Sequence, residues 1–292
     1  VIAPHSYTVS PAPRWVVVLF AVTASVITLT LALGSMVCAT DASASCPNWP
    51  GCYVGQLIPR PAYQPVLEFV HRVIAASVGL LALAGVVVGV LQRHRSKLLL
   101  VLPLVALAGA LTSGVFGMMT IKWGINRVEA AFDLLAAIIS MGAMWTVWYV
   151  ARDPDRRWSW GRDAVLGAVA VGCLVASHFG AVLVAGAGSL TRCMGWPMLV
   201  RGAGDGPLVG WVVQQGIGVI GVAAAVAVLI RSRQRGRRVR FLLLNVVIVA
   251  EVATGIVVAT NGATHLLGVI HGVCASAALA LLMTGTVDDA RH

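Results

Sequence analysis

Charge is what this 292-residue sequence lacks. Only 11% of its residues are Asp, Glu, Lys or Arg, 59% are hydrophobic, and the mean hydropathy is +0.88. A water-soluble domain carries about a quarter of its residues charged, so this chain has too little charge to cover a soluble surface of its size. Polar interruptions are scarce too. Several apolar stretches exceed the roughly 18 residues that mark a bilayer span, which excludes a large soluble core and predicts a polytopic membrane protein. A cleavable signal peptide is not expected, because the first apolar run, Trp15 to Val37, outlasts a signal core of roughly 7–15 residues.

Acidic residues are the scarcer sign, 11 against 21 Lys and Arg, for a formal charge of +10. The placement of that excess argues against nucleic acid. Six arginines fall in the ten residues Arg231 to Arg240, between two apolar runs, as in a short loop kept on the cytoplasmic side. Apolar runs broken by charge or by Pro and Gly predict eight spans, at 15–37, 66–91, 98–118, 128–150, 164–186, 208–230, 241–260 and 265–287. Backbone hydrogen bonds must close within each segment in lipid, so the runs are read as helices. One side of these spans collects Arg14, Arg93, Arg95, Lys97, Arg152, Arg156, Arg157, Arg162, the six arginines of 231–240 and Arg291. The other side holds Arg60, Lys122, Arg127, Arg192 and Arg201. Fifteen against five predicts that both termini are cytoplasmic.

A polar linker, 151–163, divides the chain into two four-helix halves, 1–150 and 164–292. Their first external loops share Cys46-Pro-Asn-Trp49-Pro50 and Cys193-Met-Gly-Trp196-Pro197, so the halves are read as parallel pseudo-repeats. Cys46 and Cys52 lie close together in a compartment where disulfides persist, and are expected to pair, with Cys38 a competing partner. Cys193 has no partner within its own loop. Cys173 and Cys274 lie inside spans and read as small packing residues.

Ionisable groups inside spans are costly and mark functional candidates. They are Glu68, His71, Arg72, Glu129, Asp133, His178, Glu251, His265 and His271. Glu68 and His71, three apart, share one helix face; the imidazole can ligate a metal and the carboxylate can move a proton or orient a substrate. The bland alternative has Glu68 and Arg72 snorkelling to headgroups. A di-iron bundle would need a second Glu-x-x-His, and there is only one. His271 lies among small neighbours in Gly268-Val-Ile-His271-Gly272-Val, which would let a flat group approach. His265 is expected to be solvated, and His178 to bond a neighbouring helix. Gln214 and Gln215 lie at a depth similar to that of His71.

The loop Ser45-Cys46-Pro-Asn-Trp49-Pro50-Gly-Cys52, the motif Glu68-Phe-Val-His71-Arg72 opening the second span, His271 in the eighth and the two four-helix halves together resemble the heme A synthase family. The resemblance spans nearly the whole chain, with its most specific motifs in the N-terminal half. Such proteins oxidise a methyl of heme O to the formyl of heme A for terminal oxidases. The resemblance implies that heme O is held in the N-terminal half and heme b in the C-terminal half. Each heme lies between histidines on the second and fourth helices of its half. It assigns His71 as a ligand and Glu68 as a catalytic carboxylate, with Arg72 beside them, and makes His271 a heme b ligand. It implies that the Cys46, Cys52 pair serves folding or exchange with an external thiol partner. The expected partners are the lipid bilayer, a heme O synthase and oxidase-assembly proteins, in a bacterial or archaeal plasma membrane. Two expected histidines are replaced: Asp133 stands at one position, and Gln214-Gln215 at the other. The second cysteine of a C-terminal pair is missing as well. These departures leave room for five-coordinate hemes, for a single heme, or for a non-catalytic heme carrier or oxidase-assembly factor. A transporter using the intramembrane carboxylates is the remaining alternative. A reporter fused after Arg291 should be active only on the cytoplasmic side, and one inserted after Val54 only outside; the reverse result would overturn the orientation.

Overall fold

Each expected apolar run is one long helix in the computed structural model, which describes residues 11–186, 191–194, 201, 206–262 and 264–291. The elements are α1 (Arg14–Ala39), α2 (Tyr63–Gln92), α3 (Leu98–Lys122), α4 (Arg127–Arg152), α5 (Arg162–Val184), the single turn α6 (Thr191–Met194), α7 (Leu208–Gln234), α8 (Arg238–Asn261) and α9 (His265–Ala290). All but α6 are long and apolar enough to cross a membrane, and there is no strand among the described residues. The chain is an all-helical, multi-pass membrane protein. Its outward faces carry large apolar side chains, Leu80, Leu111 and Val246 among them, each more than half exposed. That pattern suits a hydrocarbon solvent.

Polar side chains within the spans satisfy themselves locally. The hydroxyls of Thr23, Thr28 and Thr30 each donate to the carbonyl four residues back, at 2.8 Å. Glu129, a candidate for function from its sequence position, belongs to a capping box. The Asn126 side chain accepts from the N–H groups of Val128 and Glu129, and Glu129 accepts from the N–H of Asn126 at 2.8 Å. That reciprocal arrangement starts α4.

The two four-helix sets meet along α1 and α4 on one side and α5 and α9 on the other; α2, α3, α7 and α8 flank this centre. Phe20, Met141, Met144, Leu174, Leu279 and Leu282 belong to one continuous core and are fully buried. Trp145 on α4 donates to the Thr28 hydroxyl on α1 at 3.1 Å. Close approach elsewhere depends on glycine, as is usual where helices pack in lipid. A Cβ at Gly109 would stand 2.6 Å from the Ala136 carbonyl oxygen on α4, and one at Gly89 would strike the Leu99 carbonyl of α3.

One end of the bundle gathers the arginines. Arg235 pairs with Asp163 at 2.7 Å, Arg237 with Asp288 and Asp289 at 2.6 Å each, and Arg240 with Asp289 at 2.8 Å; Arg231 also pairs with Asp163. The linker is tied to the same end. Ser159 N–H donates to the Ala290 carbonyl at 2.7 Å, and buried Arg291 bonds the Asp153 carbonyl while lying over the Trp158 ring. The other end carries the disulfides. Gly89→Ala and Gly109→Ala should each cost about 1–3 kcal/mol by overpacking, read as lower unfolding midpoints in detergent. Gly114→Ala, where a Cβ meets nothing within 4 Å, should leave the midpoint unchanged.

Candidate functional site

The end opposite the arginines is built around two disulfides. Cys46 pairs with Cys52, as expected, and closes a six-residue separation. Cys38 does not compete for that bond. It pairs with Cys193, 155 residues away, and so joins the end of α1 to α6. Cys193 thus has a partner, but a distant one with no local sequence signal. Trp196 and Pro197 of the repeated motif lie outside the described residues.

The first loop is locked onto α2 by the Glu-x-x-His-Arg motif. Glu68 is buried, at 3% exposure. One of its oxygens accepts from the Ser45 hydroxyl at 2.9 Å and from the Cys46 N–H at 2.8 Å; the other pairs with Arg72. Arg72 in turn donates to the carbonyls of Cys46 at 2.6 Å, Asn48 at 2.7 Å and Gly51 at 3.3 Å. Neither side chain snorkels. The pair neutralises the loop's buried backbone groups, which would otherwise be costly to leave unmade.

His71 follows from that lock, because its neighbours fix the helix rotation. Its ring faces α1 at Gly34, where a Cβ would stand 3.3 Å from Cε1. Its Nδ1 is buried without a hydrogen-bond partner. A nitrogen left bare in a membrane interior suits ligation. On α4, Asp133 accepts from the Ser113 hydroxyl of α3.

In the second set of helices His271 is 1% exposed. Its Nδ1 lies 2.7 Å from a Glu251 carboxylate oxygen and 3.1 Å from the Thr254 hydroxyl, both on α8. The Thr254 hydroxyl donates back to the Ala250 carbonyl at 2.8 Å, so Nδ1–H has acceptors and the lone pair is on Nε2. That Nε2 is buried and unpartnered. A carboxylate behind one ring nitrogen and nothing before the other is how proteins prepare a metal-ligating histidine. The role of Glu251 escapes sequence inspection because it lies on a different helix from its histidine.

Gln214 is placed otherwise than the family pattern suggests. Its amide N–H groups donate to the Ser177 carbonyl at 3.2 Å and hydroxyl at 3.0 Å, and its carbonyl accepts from Gln215 at 2.6 Å. Its amide is occupied in joining α7 to α5. His178, expected to bond a neighbouring helix, places its Nδ1 instead against the Leu174 carbonyl of its own helix at 2.8 Å. His265, exposed as expected, bonds the Ala39 carbonyl of α1 at 2.6 Å. No three His, Cys, Asp or Glu among the described residues cluster to hold a bare metal ion. The bare nitrogens of His71 and His271 are buried imidazole atoms of the kind that a heme iron would ligate.

The family model for cytochrome oxidase assembly proteins, COX15-CtaA, matches residues 14–205. The chain belongs to the heme A synthase family. No curated protein matches it. The matched region includes the Cys46–Cys52 loop, Glu68, His71, Arg72, Asp133 and His178, and stops short of Gln214, Glu251 and His271. Removing one partner of a buried ion pair costs about 3–5 kcal/mol. Arg72→Ala should accordingly destabilise the protein and speed hydrogen exchange in residues 46–52, measured by mass spectrometry; a protected loop in that variant would refute the lock.

Proposed function

We propose that this heme A synthase family member is an oxidoreductase that converts a peripheral methyl of heme O to the formyl of heme A, for cytochrome oxidase biogenesis. The observation that carries the reading is His71. Its ring nitrogen is buried and bare, one turn beyond a carboxylate, inside the motif by which the chain resembles the family. Residues 1–150 would hold the substrate heme, with His71 as ligand and Asp133 on the opposing helix. Residues 164–292 would hold heme b through His271, and 151–163 would be a cytoplasmic linker. Heme iron, when bound, supplies the redox chemistry.

The chain's own residues do the rest. His71 holds the substrate, with Gly34 leaving room against α1. Glu68 places a carboxylate one turn before the ligand, where it would orient the substrate or move a proton. Its bonds to Ser45, Cys46 and Arg72 keep that carboxylate in place. The Cys46–Cys52 loop, clamped by Arg72, covers the end of α2 and limits water. We place both termini in the cytoplasm of a bacterial or archaeal cell, with a heme O synthase and oxidase-assembly proteins as partners. Gln214, whose amide is already engaged, favours a second reading, a heme carrier without catalysis.

Co-expression with a heme O synthase in a host that makes no heme A tests the reading. Extracted hemes should include a formyl heme with the wild type, and heme O alone with His71→Ala. Heme bound to the wild type without formyl product would favour the carrier. Protein free of heme would overturn both.

A further inference from the structure

His178 and His271 each have Nδ1 tied back to the protein, and they stand at the same level. His178 lies six residues before Val184 at the end of α5, and His271 six after His265 at the start of α9. Gln214 lies six after Leu208 at the start of α7. These helix ends all belong to the disulfide end, so at 1.5 Å per residue the three side chains share one depth. α5 packs directly on α9.

Each ring has one nitrogen tied back to the protein. A carbonyl can only accept, so the 2.8 Å contact with Leu174 puts the proton of His178 on Nδ1 and the lone pair on Nε2. In His271, Glu251 and Thr254 hold Nδ1, and Nε2 is buried without a partner. The Gln214 amide bridges to Ser177, the residue immediately before His178. It acts as a support for α5 at the point where that helix presents its imidazole.

We propose that His178 and His271 are the two axial ligands of one heme in the C-terminal half, with His178 supplying from α5 the imidazole that Gln214 cannot supply from α7. Gln214 and Glu251 are then positioning residues, one bracing each ligand. The proposal rests on the heme-binding reading above.

The test is spectroscopic and uses the full chain purified in detergent after expression with heme supply. It is run in wild type and in a His71→Ala background, so that the remaining heme belongs to the C-terminal half. A low-spin bis-imidazole absorption and electron paramagnetic resonance signal is expected. His178→Ala should convert that heme wholly to high spin, added imidazole should restore low spin, and Gln214→Ala should keep the low-spin signal. His178→Met, which preserves bulk, should show the charge-transfer band of thioether ligation. A His178→Ala protein that binds heme and stays low-spin, or a His178→Met protein without thioether ligation, overturns the proposal while the heme-binding reading stands. A wild type that binds no heme overturns both.

Discussion

Hydrocarbon offers no hydrogen bonds, and the arrangement of this protein follows from that constraint. Backbone groups close within eight helices, threonine hydroxyls fold back on their own turns, and a buried carboxylate is acceptable only where donors surround it. Glu68 meets that condition through Ser45, Cys46 and Arg72. Among the buried polar atoms left without a hydrogen-bond partner are two imidazole nitrogens able to ligate, His71 Nδ1 and His271 Nε2. Leaving a polar atom without a partner is a cost, and a cofactor that ligates there removes it.

The fold was largely legible in the amino-acid sequence, because span length and apolar composition are local properties that a bilayer reads directly. All eight runs became helices, each within a few residues of its expected ends. The Cys46–Cys52 bond was legible for a similar reason, since its partners are neighbours. Composition could not separate Glu68, Glu129 and Glu251. All three are carboxylates in apolar runs, but one clamps a loop, one caps α4 and one backs a histidine on the next helix. The difference lies in what each faces, and that is decided by packing between helices. Gly109 and Gly114 show the same limit: both belong to one small-residue stretch, yet only the first touches a neighbouring backbone.

The helices α4 and α5, each carrying a candidate ligand, pack on each other across the seam. Phe132 and Phe179, each next in sequence to a candidate ligand (Asp133 and His178), meet edge to face with centroids 5.6 Å apart. Gly272 adds a second connection. It follows His271, and a side chain there would collide with Ser35 of α1 and press on the Cys193 carbonyl.

The bond between Cys38 and Cys193 has a consequence for biosynthesis. Its two sulfurs come from the first helix and from the loop after the fifth long helix, so nothing can seal it until about two thirds of the polypeptide has been threaded through the bilayer. Closure of this face thus waits on the late arrival of a single thiol.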